Sequence, residues 1–101
     1  MDVLTPSQYA IMTFAWEVGK FTIEELSKSG VGDGRKDATL RTVCDRIVDK
    51  GFMRSVKIKG SPVYYEPAIS KQNYMIELAS VWFKGASEDD KRFFKWAMDQ
   101  V

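Results

Sequence analysis

The stretch Asp37-Ala38-Thr39-Leu40-Arg41-Thr42-Val43-Cys44-Asp45-Arg46-Ile47-Val48-Asp49-Lys50-Gly51 decides the fold. Its apolar residues Leu40, Val43, Cys44, Ile47 and Val48 recur at the spacing of a helix with one face turned to a core. Asp37 is the expected cap, and Gly51, just after Lys50, stands where a helix-ending glycine belongs. Thr39, Arg41, Thr42, Asp45 and Arg46 occupy the opposite side. Cys44 lies on the apolar stripe, so a buried and inert thiol is expected rather than a redox sensor.

A hairpin follows. Met53 to Lys59 alternates, with Val56 and Ile58 on one face and Ser55, Lys57 and Lys59 on the other. Gly60-Ser61-Pro62 supplies a turn, and Val63 to Glu66 the return strand before Pro67. Upstream, Thr5-Pro6-Ser7-Gln8 carries a capping box with proline at the first helical position. That helix should reach Val18 and stop at Gly19. Ile11, Phe14, Ala15 and Val18 form one apolar stripe, and Met12 and Trp16 a second. Lys20-Phe21-Thr22 is a short extended link. Thr22-Ile23-Glu24-Glu25 opens another capped helix, anchored by Ile23 and Leu26 and ended by the glycine-rich turn from Gly30 to Gly34.

The remaining chain reads as two helices. Ser70 caps one that runs to about Lys84, with Gly85 after it; Ser87 caps the other, with Asp90 at the capping-box position. Five of the thirteen aromatic residues lie between Trp82 and Trp96. That is more apolar surface than a helical tail on a small domain can hide by folding back: either it completes the core or it meets an identical surface on a second copy, and the second is favoured. Tyr74, Leu78, Trp82, Phe93, Phe94 and Ala97 are the candidate dimer residues.

Charge is uneven along the chain. Residues 35–59 carry Arg35, Lys36, Arg41, Arg46, Lys50, Arg54, Lys57 and Lys59 against three aspartates, a balance of +5, whereas the whole chain is only +1. Such a patch is the electrostatic footprint of a nucleic-acid surface. Lys36, beside the third helix, belongs to it, and Lys57 and Lys59 at the hairpin are candidate phosphate contacts. The chain contains no histidine, which removes Ser/His/Asp and Cys/His catalysis and the usual zinc sites. The glycine run lacks the Lys-Ser/Thr of a phosphate-binding loop. Glu24-Glu25 and Glu88-Asp89-Asp90 fall at helix starts, where acids complement the dipole. No enzyme activity, cofactor or metal is expected. A single cysteine, no apolar run of membrane-spanning length and no basic signal region make the cytoplasm the expected compartment.

Helix, short strand, helix, helix, hairpin is the order of a winged helix-turn-helix, in which the third helix enters the major groove. The expected class is therefore α+β, mostly helical: a winged-helix DNA-binding domain over residues 1–69 and two C-terminal dimerisation helices over 70–101. Particular residues go further. Leu4-Thr5, Ile11-Met12 with Trp16-Glu17, Thr22-Ile23, Thr39-Leu40-Arg41-Thr42, Arg46-Ile47, Lys50-Gly51-Phe52 and Tyr64-Tyr65-Glu66-Pro67 with Ser70 resemble the penicillinase-repressor family over roughly residues 4–85. The resemblance implies a homodimeric repressor on an inverted-repeat operator, with double-stranded DNA and itself as partners. It assigns Thr39, Arg41, Thr42 and Arg46 to the DNA-facing side of the recognition helix, the side that the apolar stripe leaves outward. Two departures stand out: Ala38 replaces a basic residue of some members, and the region after the hairpin is short. A protease-driven release is therefore not carried over, and the cysteine cluster of the copper-sensing relatives is absent. The rival reading is a winged-helix protein-interaction module whose aromatic C-terminal surface is the working part.

Overall fold

Residues 3–85 and 87–100 are described by the structure, a computed structural model, which leaves the side chains of Trp82, Phe94 and Met98 outside the description. Helix α1 (Pro6–Val18) begins as its sequence dictates. Gln8 N donates to Thr5 Oγ1 at 3.3 Å, and Thr5 N donates to Gln8 Oε1 at 3.0 Å. Ile11, Met12 and Ala15 are buried. Val18, expected on the same stripe, is instead exposed, because it is the last residue before the Gly19 cap. Trp16 Nε1 donates to Ile69 O at 2.9 Å, tying α1 to the chain beyond the hairpin.

Strand β1 (Phe21–Thr22) leads directly into α2 (Ile23–Ser29). Thr22 closes the strand and caps the helix, accepting from Glu25 N at 3.2 Å while Glu25 Oε1 accepts from Thr22 N at 3.2 Å. In the turn that follows, Gly32 is buried against α3 (Asp37–Asp49). A Cβ there would lie 2.8 Å from Leu40 Cδ2, so any larger residue would force the Leu40 side chain to shift.

Helix α3 buries Leu40, Cys44 and Ile47, with Val43 and Val48 half-buried. The cap differs from expectation. Lys36 takes the extended N-cap position without a side-chain bond, and Asp37 is already helical. There its carboxylate still complements the positive end of the dipole. At the other end Gly51 has φ +88°, with Gly51 N donating to Val48 O and Phe52 N to Ile47 O. This pair satisfies the last carbonyls, as a left-handed glycine terminator should.

Strands β2 (Met53–Val56) and β3 (Tyr64–Pro67) form the hairpin, in an antiparallel sheet of order β1-β3-β2. The expected strand to Lys59 is shorter, because Val56 already pairs with Tyr64. Residues 57–63 are therefore loop, and Ile58, expected beside Val56, is exposed. Helices α4 (Lys71–Phe83) and α5 (Glu88–Asp99) complete the chain. The Ser87–Asp90 box forms, with Asp90 N donating to Ser87 Oγ at 3.1 Å. The chain divides into two compact units, Asp2–Lys71 and Gln72–Val101. Among the described residues no helix is long and apolar enough to cross a membrane.

Candidate nucleic-acid interface

Burial of Leu40, Cys44 and Ile47 fixes the rotation of α3 and leaves Thr39, Arg41, Thr42 and Arg46 exposed, with Lys36 just ahead of them. Thr42 Oγ1 donates to Ala38 O at 3.1 Å, so its proton is engaged by the helix while its methyl and lone pairs remain outward. On the hairpin loop Lys57 and Lys59 are exposed, and Lys57 Nζ donates to Ser61 O at 3.5 Å.

The eight basic side chains of residues 35–59 are not equivalent. Lys50 Nζ donates to Val3 O at 2.9 Å and to Gln8 Oε1 at 2.7 Å, and so serves the fold. It also gives a second donor to the amide oxygen of the buried Gln8, which periodicity alone did not mark as interior. Arg54 pairs with Glu66 at 3.3 Å across the hairpin. Among the described residues Arg35, Lys36, Arg41, Arg46, Lys57 and Lys59 make no ion pair. Six cations therefore remain available to an anionic partner. Arg35 was counted in the basic patch but not named as a contact residue, although its place next to Lys36 was a usable signal.

Arg41 stands apart from Arg46 on the helix. It lines a cleft of about 170 Å³ together with Glu24, Asp37, Pro62 and Val63, which brings it to the hairpin loop. One turn further along, Asp45 Oδ1 accepts a hydrogen bond from Tyr65 Oη at 2.8 Å. Burial, then this bond and the Asp45 charge, push the Tyr65 phenol above its ordinary range, so it remains a donor. Burial, with a smaller effect of Asp45, pushes the Cys44 thiol up to about 12, as an inert thiol requires. Among the described residues no group of histidine, cysteine and carboxylate side chains could hold a metal.

The C-terminal candidates divide. Phe93 is 69% exposed and Leu78 37% exposed, whereas Tyr74 is only 3% exposed and cannot contribute to an outward face. Ala97 is half-buried, and the side chains of Trp82 and Phe94 lie outside the described residues. Ile76, Val81 and Trp96 are also exposed, with the Phe93 and Trp96 rings 6.0 Å apart. A groove of about 480 Å³ runs between α4 and α5, with Ile76, Ala79 and Phe83 on one side and Lys91 and Lys95 on the other.

A three-helix unit whose third helix exposes Thr39, Arg41, Thr42 and Arg46, flanked by a lysine-bearing hairpin, is the architecture of winged-helix regulators. Solved structures share this fold. A MepR-like protein crystallised with pseudoligands superposes with a TM-score of 0.58 at 18% identity, over 96% of this chain and 72% of that one. A MarR family protein from Bacillus stearothermophilus gives 0.57 at 19% identity, over 98% and 73%. Comparison with curated protein sequences gives no match. The model of the penicillinase repressor family matches residues 4–99, and the chain belongs to that family. It is thus a winged-helix transcription regulator and not an enzyme. The match also takes in α5, beyond the stretch of roughly 4–85 in which the resemblance was legible by eye.

Proposed function

We propose that this regulator is a sequence-specific repressor that acts in the cytoplasm as a homodimer on an inverted-repeat operator. The observation that carries the reading is the rotation of α3. Its apolar stripe is buried, while Thr39, Thr42 and an Arg46 without an ion pair among the described residues are exposed. An unpaired guanidinium on an exposed helix is suited to clamp a guanine edge or a phosphate. Lys36, Arg41, Lys57 and Lys59 supply backbone contacts on either side. Exposed Leu78, Phe93 and Trp96 support pairing through the C-terminal helices. A twofold axis then matches two half-sites.

Selection of bound sites from random duplexes is expected to recover a palindrome. Arg46→Ala is expected to weaken binding to that site by about 1–3 kcal/mol if Arg46 reads a base, and to weaken all sequences alike if it holds a phosphate. Titrations of wild type and variant that superimpose would remove α3 as the recognition helix. If the wild type binds no duplex even at low salt, the protein-interaction reading takes its place.

A further inference from the structure

The exposed face of α3 contains an acid where a DNA-binding surface has least use for one. Asp45 follows Arg41 by four residues, a spacing at which opposite charges on a helix ordinarily pair. They do not: among the described residues Arg41 makes no ion pair, and Asp45 accepts instead from the Tyr65 hydroxyl. The donor is held firmly. Tyr65 is 2% exposed, lies on the central strand β3 between Phe21 and Ser55, and stacks its ring on Phe21 at 6.0 Å. Asp45 itself is exposed, so water could solvate it without this bond.

We propose that Tyr65 is a positioning residue for DNA recognition, which captures the Asp45 carboxylate and so keeps Arg41 unpaired beside the hairpin loop. The inference rests on the DNA-binding reading above. The tether has two effects. It pins the middle of α3 to the sheet that carries the wing, and it holds a negative charge away from a cation destined for phosphate. Without the phenol, the carboxylate is free to turn back to Arg41 and neutralise it.

The test uses the full chain as wild type, Tyr65→Phe, Asp45→Asn and the double variant, titrated with the selected operator and with a random duplex at one salt concentration. Tyr65→Phe keeps the buried ring and is expected to weaken both duplexes about three- to fivefold, the scale of one exposed ion pair. Asp45→Asn still accepts from the phenol but carries no charge, and is expected to tighten both by a similar factor. In the Asp45→Asn background, adding Tyr65→Phe is expected to change little, because the carboxylate that the phenol holds is already gone. If Tyr65→Phe binds as wild type does, or if its loss persists undiminished in the Asp45→Asn background, the proposal is overturned. A wild type that binds no duplex sinks the DNA-binding reading instead. The tether is then judged by the Arg41 Nε–H resonance, expected to shift and exchange more slowly in Tyr65→Phe. An unchanged resonance overturns it.

Discussion

The unit Asp2–Lys71 and the helical unit Gln72–Val101 treat their apolar side chains in opposite ways. Among the described residues the buried apolar side chains of the first unit run from Leu4 to Tyr65, and in the second unit Tyr74 is the one that is buried. Conversely Ile76, Leu78, Val81, Phe93 and Trp96, most of the large exposed apolar side chains, belong to that second unit. The first unit closes around its own core and turns a polar, cationic face outward. The second leaves aromatic surface on view, which a water-exposed monomer has no physical reason to keep. In our reading the contrast separates the labour: one unit meets a polyanion, the other a protein surface, that of its own copy.

The largest expected effect tests whether the first core is as closed as it looks. Leu40 is fully buried and meets the turn at Gly32. Leu40→Ala is expected to cost about 2–5 kcal/mol, the range for large-to-small changes in packed cores. Urea unfolding followed by circular dichroism reads it directly. A loss below about 0.5 kcal/mol, the scale of a surface change, would mean that α3 is not fixed by its stripe, and the rotation argument would go with it.

Next in size is the converse experiment on the second unit. Replacing Phe93 and Trp96 together with serine removes the most exposed aromatic pair among the described residues. Aromatic residues at the centre of an interface typically contribute about 2 kcal/mol or more each. The double variant is therefore expected to sediment as a monomer at concentrations where the wild type is a dimer. It should keep the urea midpoint of the first unit when both are compared as monomers. Undisturbed dimers would place the interface elsewhere on the chain.

Local and long-range features differed in how far they could be read in advance. Capping boxes at Thr5, Thr22 and Ser87 were legible, because both partners lie three residues apart and the interaction is local. So was the α3 stripe, whose period is a property of the chain itself. Effects set by distant partners were not. The end of β2 depends on where β3 runs out of pairing, so the alternation through Ile58 and Lys59 had no strand to match. Lys50 and Arg54 counted as patch cations until Gln8 and Glu66 were seen to engage them. The Tyr65–Asp45 bond spans twenty residues and leaves no periodic trace. Tyr74 was assigned outward with Leu78 and Trp82 of the same helix, and spacing along a helix does not say which of its residues is covered.

The smallest expected effect uses the capping boxes as matched probes of the two units. Thr22 and Ser87 make the same reciprocal bonds, Thr22 with Glu25 and Ser87 with Asp90. Thr22 is nearly buried and also belongs to β1, paired with Tyr64, whereas Ser87 is exposed. Replacing either by alanine removes one cap, for which about 0.5–2 kcal/mol is the usual range. The local physics is the same, so any difference reports the surroundings. Thr22→Ala removes a hydroxyl from a nearly buried junction of strand and helix, and is expected to fall near the upper end. It should lower the urea midpoint of the whole first unit. Ser87→Ala leaves water free to solvate the uncapped amides and should fall near the lower end. Its signature is faster amide exchange at Asp90 and Lys91, with the Glu25 amide unchanged. Equal global losses for both variants would show that α5 is as deeply committed to a closed core as α2. The contrast between a closed and an open unit would then have to be given up.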